Sequence, residues 1–314
     1  MSDRNGYLFD KPNLSIMKTL VFEDDEVIEE EEKVSLWVST GNGYTPAPNM
    51  TIAQKLPSGV YRPVWKNDDY CMLPVPLNTD ELYRFSEDLT STLSNEVKDF
   101  WDKKDIYEKH NLIHKRGLLL AGSPGCGKTA IINLLVKQII ENDGLVFFLT
   151  TVNEFRLYIE VLKPIIREIE KDRPIITVIE DIDQMIDNMS GNDNEILDLL
   201  DGRNSINHHL VIMTSNDTTS LSEALLRPSR IDMMFEIVNP ATHIRKEFFE
   251  RKGMNEDEAS EYAEATEGMS FAELKEVFIG TKVLGKELDK VIQQLQNPFE
   301  TKDYLTKQQN TMGI

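Results

Sequence analysis

Gly122-Ser123-Pro124-Gly125-Cys126-Gly127-Lys128-Thr129 meets every fixed position of the pattern G-x-x-x-x-G-K-[ST]. Its neighbours are those the pattern requires. Apolar Leu118-Leu119-Leu120 reads as a strand before it, and Ala130 to Ile140 as a helix after it. Glycines let backbone N–H groups turn inward around phosphates, and the helix N-terminus adds its positive end. Ser123, Pro124, Gly125, Cys126, Gly127, Lys128, Thr129 and Ala130 are therefore expected to bind the nucleotide. Lys128 would reach the β- and γ-phosphates, and the Thr129 hydroxyl would bind Mg2+. ATP and Mg2+ are the expected ligands, with Cys126 a small filler rather than a nucleophile.

A phosphate site of this kind needs a second strand ending in carboxylates, to hold the metal's water shell and polarise an attacking water. Ile175-Ile176-Thr177-Val178-Ile179-Glu180-Asp181-Ile182-Asp183 supplies it. Between Arg116 and Val238 short β-rich runs (117–121, 145–150, 175–179, 210–214) alternate with helical patterns, the order of a parallel α/β sheet. A helical period begins near Asp80, with Leu82, Phe85, Leu89, Leu93, Val97 and Phe100 on one face. The expected division is thus a β-rich N-terminal module over 1–80, an α/β core with its leading helix over 81–238, a small helical lid over 239–290 and a polar tail over 291–314.

Several ordered motifs resemble the AAA family of ATPases, in its protein-remodelling clade. Val211-Ile212-Met213-Thr214-Ser215-Asn216 looks like the sensor strand whose terminal Asn helps place the water. Leu225-Leu226-Arg227-Pro228-Ser229-Arg230-Ile231-Asp232 looks like the family's L-L-R-P-G-R-[LI]-D, with Ser229 in place of Gly, and Leu199-Leu200-Asp201-Gly202 matches a further segment. The resemblance implies a P-loop NTPase core in which Lys128, Glu180, Asp181, Asn216, Arg227 and Arg230 are catalytic. Thr129 and Glu180 would serve the metal. Arg227 and Arg230 would reach the nucleotide of a neighbouring subunit, so a homo-oligomeric ring, commonly six subunits, and a protein substrate are implied. Gly268-Met269-Ser270-Phe271-Ala272-Glu273-Leu274 looks like the start of the lid helix, with Phe271 where Gly is usual. Gly268, Ser270 and Ala272 are its nucleotide-side candidates, although a capped helix start accounts for them equally.

The chain departs from the family in one chemical respect. Glu180-Asp181 reverses the usual Asp-Glu order and resembles the mitochondrial AAA translocase that moves a folded iron–sulfur protein. Asp181 is one methylene shorter than the usual base, which predicts slow turnover. Tyr158 and Ile159 stand where unfoldases of the family carry a pore-lining aromatic–aliphatic pair, with Glu160 in place of Gly; the spacing of Phe155, Tyr158 and Leu162 reads equally as a buried helix face.

Composition narrows the partners. A formal charge of -20, from 34 Lys+Arg against 54 Asp+Glu, disfavours nucleic acid. Glu23 to Glu32 holds eight carboxylates in ten residues and reads as a solvated arm. Two distant cysteines, Cys71 and Cys126, fit a reducing, cytoplasmic setting, and no apolar run is long enough to span a bilayer. His110 and His114 have ligand spacing but no third partner in sequence, so satisfied or exposed histidines are expected. Two other functions compete with the remodelling motor: a nucleic-acid loader of helicase-loader type, and a nucleotide-gated switch that scarcely turns over.

Overall fold

The computed structural model describes residues 21–23, 26–28, 33–39, 44–51, 55–66, 69–77, 88–170, 172–189, 193–200 and 207–297. The chain divides into two compact units, 1–56 and 57–314. In the first, β1 (Val21–Glu23) pairs antiparallel with β2 (Glu26–Ile28). Likewise β3 (Lys33–Ser39) pairs antiparallel with β4 (Tyr44–Thr51), through a register shift between Val34 and Leu36. Most of the acidic run lies outside the described residues, as do Leu82, Phe85, Asp201 and Gly202.

The second unit is built on β5 (Gly59–Lys66), β6 (Asp69–Pro74), β7 (Lys115–Ala121), β8 (Leu145–Leu149), β9 (Ile175–Ile179), β10 (His209–Ser215) and β11 (Met233–Glu236). They form one sheet in the order β11-β7-β10-β9-β8-β5-β6. All neighbouring pairs are parallel except β5 with β6. Strands β9 and β10 are buried at every position, as expected of central strands covered on both faces. The helices before and between the strands are α1 (Asp88–Asp102), α2 (Lys104–Lys109), α3 (Lys128–Ile140), α4 (Val152–Leu157), α5 (Lys163–Ile169), α6 (Ile182–Asn188) and α7 (Asn194–Leu200). Leu93, Val97 and Phe100 of α1 join the same core as Leu118, Leu120, Ile132 and Leu135, which is what their three- and four-residue spacing predicts.

The boundary expected before Asp80 is displaced. The β5–β6 hairpin extends the nucleotide-binding sheet, with Gly59 opposite Leu145 and Tyr61 opposite Phe147, and Val60 and Tyr61 are buried. Strand propensity identified these residues as β, but nothing in it says which sheet they enter.

The lid comprises α8 (Thr242–Arg251), α9 (Glu256–Ala265), α10 (Phe271–Phe278) and α11 (Leu288–Gln296). It has its own core of Phe248, Phe249, Met254, Tyr262, Leu274, Val277 and Val291. Because Val291 lies in that core, the lid runs past the expected end at 290, and α11 takes the first residues of the expected tail. The remainder, 298–314, lies outside the described residues.

Candidate functional site

The phosphate-binding loop joins the C-terminal end of β7 to α3, with Gly127 as N-cap of the helix at φ 105. Gly125 also has positive φ, at 80, a conformation that favours glycine because L side chains clash there. Cys126 is buried in the main core, in keeping with a filler role. The Lys128 ammonium is nearly buried and folds back over the loop, donating to the carbonyls of Gly122 (2.6 Å) and Ser123 (3.1 Å) and to Asn216 Oδ1 (2.7 Å).

Three parallel strands deliver the rest. β7 carries the loop, β9 leads directly into Glu180-Asp181, and β10 between them leads directly into Asn216. Thr129 Oγ1 donates to Glu180 Oε1 at 3.2 Å, and Asn216 Nδ2 donates to Asp181 Oδ1 at 2.9 Å. The Asp181 backbone is left-handed (φ 48), and its N–H donates to Thr214 Oγ1 at 2.8 Å. The Asn216 N–H donates to Asp183 Oδ1 at 3.4 Å. A strained non-glycine residue held by Thr214 of β10 and by Asn216 just after it has its carboxylate direction fixed. Burial pushes the Glu180 carboxyl above the usual carboxylate range; the Thr129 hydrogen bond opposes the shift, and the Asp181 charge adds to it.

Pro124, Gly125, Gly127, Lys128, Thr129, Ala130, Glu180, Asp181, Thr214 and Asn216 line a cavity of about 380 Å³. Every residue expected on the phosphate side except Ser123 and Cys126 is among them. The sequence motifs contain Thr214 and Asp183 but assign neither of them a role. Thr129 and Glu180 are adjacent oxygen donors of the kind a hard cation takes together with water and phosphate oxygens, so the donor set fits Mg2+. Among the described residues no group of three or more His, Cys, Asp or Glu is arranged to hold a metal by itself.

Residues 118–239 match the family described as "ATPase family associated with various cellular activities (AAA)". This segment is an AAA ATPase domain. The chain is 29% identical to the "Proteasome-associated ATPase" of Thermomonospora curvata over 173 residues, 47% of this chain and 30% of that protein. It is 28% identical to "ATP-dependent zinc metalloprotease FtsH 3" of Phytoplasma mali over 210 residues, 60% of this chain and 34% of that one. To "26S proteasome regulatory subunit 8 homolog B" of Arabidopsis thaliana it is 28% identical over 251 residues, 68% and 59% of the two chains. The chain therefore spans only about a third of the first two relatives.

Neither Arg227 nor Arg230 lines the AAA domain's own cavity. Their turn is strapped to the start of β7 instead. Asp232 Oδ2 accepts from the Gly117 N–H (2.9 Å), and the Asp232 N–H donates to the Gly117 carbonyl (2.8 Å). A β-carbon at Gly117 would lie 1.8 Å from the Arg230 carbonyl oxygen, so only glycine permits this approach. Ser229 sits at φ 77, which explains why Gly suits that motif position; its N–H donates to Asp232 Oδ1 at 3.0 Å. The two arginines differ: Arg230 Nη1 donates to the Ala224 carbonyl at 2.7 Å, while Arg227 is exposed.

The lid reaches the loop through α10. Ser270 caps this helix in a reciprocal box with Glu273, so its hydroxyl is engaged in the cap. The Ala272 N–H donates to the Gly125 carbonyl at 3.3 Å, and Gly268 (φ 76) accepts from Asn239 Nδ2 at 2.8 Å.

The pore expectation for Tyr158 is overturned. Tyr158 is fully buried, its ring centroid is 5.2 Å from that of Phe147, and its hydroxyl accepts from Thr177 Oγ1 at 2.9 Å. The periodic pattern with Phe155 and Leu162, both buried, describes the residue correctly. Ile159 is half-buried and Glu160 exposed, in a π-helical turn over Tyr158–Leu162. The His110–His114 pair is no ligand set either: His110 is exposed, whereas His114 is buried and stacks on Phe100 with centroids 4.0 Å apart. Among the described residues no helix is long and apolar enough to cross a membrane.

Proposed function

We propose that the chain is a subunit of an ATP-hydrolysing ring motor that remodels, unfolds or disassembles protein substrates. One observation carries the ring: a complete set of phosphate and water-handling groups shares one cavity, while the exposed Arg227 stands outside it. A finger that cannot serve its own site serves a neighbour's, and such fingers in P-loop enzymes are worth about 10³ to 10⁵ in rate.

Lys128 and the loop N–H groups hold the β- and γ-phosphates in this reading, and Asp181 accepts the proton of the attacking water that Asn216 orients. Thr129 and Glu180 would hold Mg2+, which neutralises charge on the phosphate oxygens. The motif order supports a ring of six, and relatives named as proteasome ATPases and a metalloprotease support a protein client. The Glu180-Asp181 order brings the chain nearer the iron–sulfur-protein translocase type and implies slow turnover. Two free cysteines suit a reducing, cytoplasmic compartment.

Mixing two defective subunits tests the reading. Arg227→Ala is expected to bind ATP but hardly hydrolyse it, and Lys128→Ala to lose tight binding. Together they should recover phosphate release at interfaces where an intact loop faces an intact Arg227. No recovery at any ratio, in subunits shown to co-assemble, contradicts the trans role.

A further inference from the structure

Leu210 to Met213 run apolar through the middle of β10, and Thr214, only 2% exposed, then puts a hydroxyl on this central strand. A buried hydroxyl is costly unless it is used. The register between β9 and β10 runs out with Ile179 opposite Met213, so the N–H of Asp181 lies past the ladder. Thr214 Oγ1 accepts from it at 2.8 Å, at the point where the Asp181 backbone is left-handed (φ 48, ψ 57). We propose that Thr214 is a positioning residue for ATP hydrolysis: by holding the Asp181 amide it sets the direction in which that carboxylate meets the attacking water. The proposal rests on the reading of Asp181 as the base.

An aspartate in this place makes the backbone decisive. Its carboxylate turns on one side-chain torsion fewer than that of glutamate, so a backbone error is passed on with less room for correction. A non-glycine residue in the left-handed region keeps that conformation only where its surroundings impose it. Asp181 is the N-cap residue of α6, yet its side chain makes no capping bond, which frees the carboxylate from the helix. The residue is held at two points instead, its N–H by Thr214 and its Oδ1 by Asn216 Nδ2 at 2.9 Å. Oδ2 is left to accept from the water, and Thr214 and Asp181 line the same cavity. The two holds differ in what they answer to. Asn216 also accepts from Lys128 and so responds to the phosphates, whereas among the described residues the Thr214 hydroxyl bonds only to the Asp181 amide. Loss of that hydroxyl therefore disturbs the aim of the base and leaves the phosphate seat intact.

The test separates orientation from binding. Phosphate release over a range of Mg2+-ATP concentrations, and binding of a fluorescent ATP analogue, are measured on the full chain for Thr214→Val and Thr214→Ser, with and without Asp181→Asn. Valine keeps the branched shape and removes the acceptor, whereas serine keeps the acceptor. Thr214→Val should lower kcat about 10²-fold, the scale of a misplaced catalytic group, with KM and analogue binding unchanged, and Thr214→Ser should recover most of the loss. In the Asp181→Asn background, where the base is already gone, Thr214→Val should slow hydrolysis no further. A parental kcat in Thr214→Val, or an equal loss in Thr214→Ser, would overturn the proposal. So would weakened analogue binding matching the loss of rate, or the same further loss in the Asp181→Asn background. Should Thr214→Val show no cooperative unfolding transition, Thr214→Ala is read by the same criteria. Parental hydrolysis by Asp181→Asn alone would instead remove Asp181 as the base, the reading beneath.

Discussion

Lys128 Nζ donates to Asn216 Oδ1 at 2.7 Å, and the same side-chain amide donates from Nδ2 to Asp181 Oδ1 at 2.9 Å. One amide therefore joins the cation of the loop to the carboxylate at the end of β9. A γ-phosphate that takes up the Lys128 ammonium competes with Asn216 Oδ1 for it, and the change is transmitted to the base. Asn216→Ala should accordingly bind a fluorescent ATP analogue nearly as well as the parent but release phosphate about 10²-fold more slowly, the usual effect of removing one oriented donor. Lys128→Ala should lose the binding itself. Parental turnover in Asn216→Ala would show that the amide bridge has no part in catalysis.

Tyr158 supplies a stability prediction. Its ring fills the space between Phe147 and β9, and its hydroxyl meets Thr177. Truncation to Ala should cost about 3 to 5 kcal/mol in urea unfolding, as for other large buried rings. Tyr158→Phe keeps the ring, loses one buried hydrogen bond and should cost about 1 kcal/mol. Unchanged stability in Tyr158→Ala, with loss only of client-dependent work, would return the residue to a pore.

The phosphate site was legible because its chemistry is written in consecutive residues. Gly122 to Thr129, Glu180-Asp181 and Asn216 each announce themselves locally, and a parallel sheet has one way to bring such strand ends together. Tyr158 was ambiguous because sequence position and helical period gave opposite answers, and only burial separates them. The β5–β6 hairpin was assigned to the wrong unit because pairing between Gly59 and Leu145 spans intervening helices and leaves no local trace. His209 begins β10, and His208 Nδ1 lies 3.1 Å from His114 Nδ1 in a buried contact that no spacing rule encodes.

Lys163 offers a pH-dependent test. The side chain is buried and, among the described residues, its ammonium has no hydrogen-bond partner. Burial lowers its pKa to about 8, with Lys115 adding to the fall and Asp198 opposing it. A folded-state lysine with lowered pKa destabilises the fold wherever both states are protonated, below about 8. Between there and the ordinary value of 10.5 the unfolded chain alone holds the proton, so stability rises with pH. Lys163→Met should therefore be more stable than the parent by about 2 kcal/mol at neutral pH, with the gap narrowing as pH rises through that window. A gap independent of pH, or a less stable variant, would mean that Lys163 is paired in solution.

Completion of the hydrolytic site by a second subunit is tested by phosphate release per subunit across a wide range of protein concentration. Specific activity should rise steeply as subunits assemble and then level off, with Arg227→Ala flat and low throughout. Specific activity that is already maximal in the dilute monomer and indifferent to concentration would contradict it.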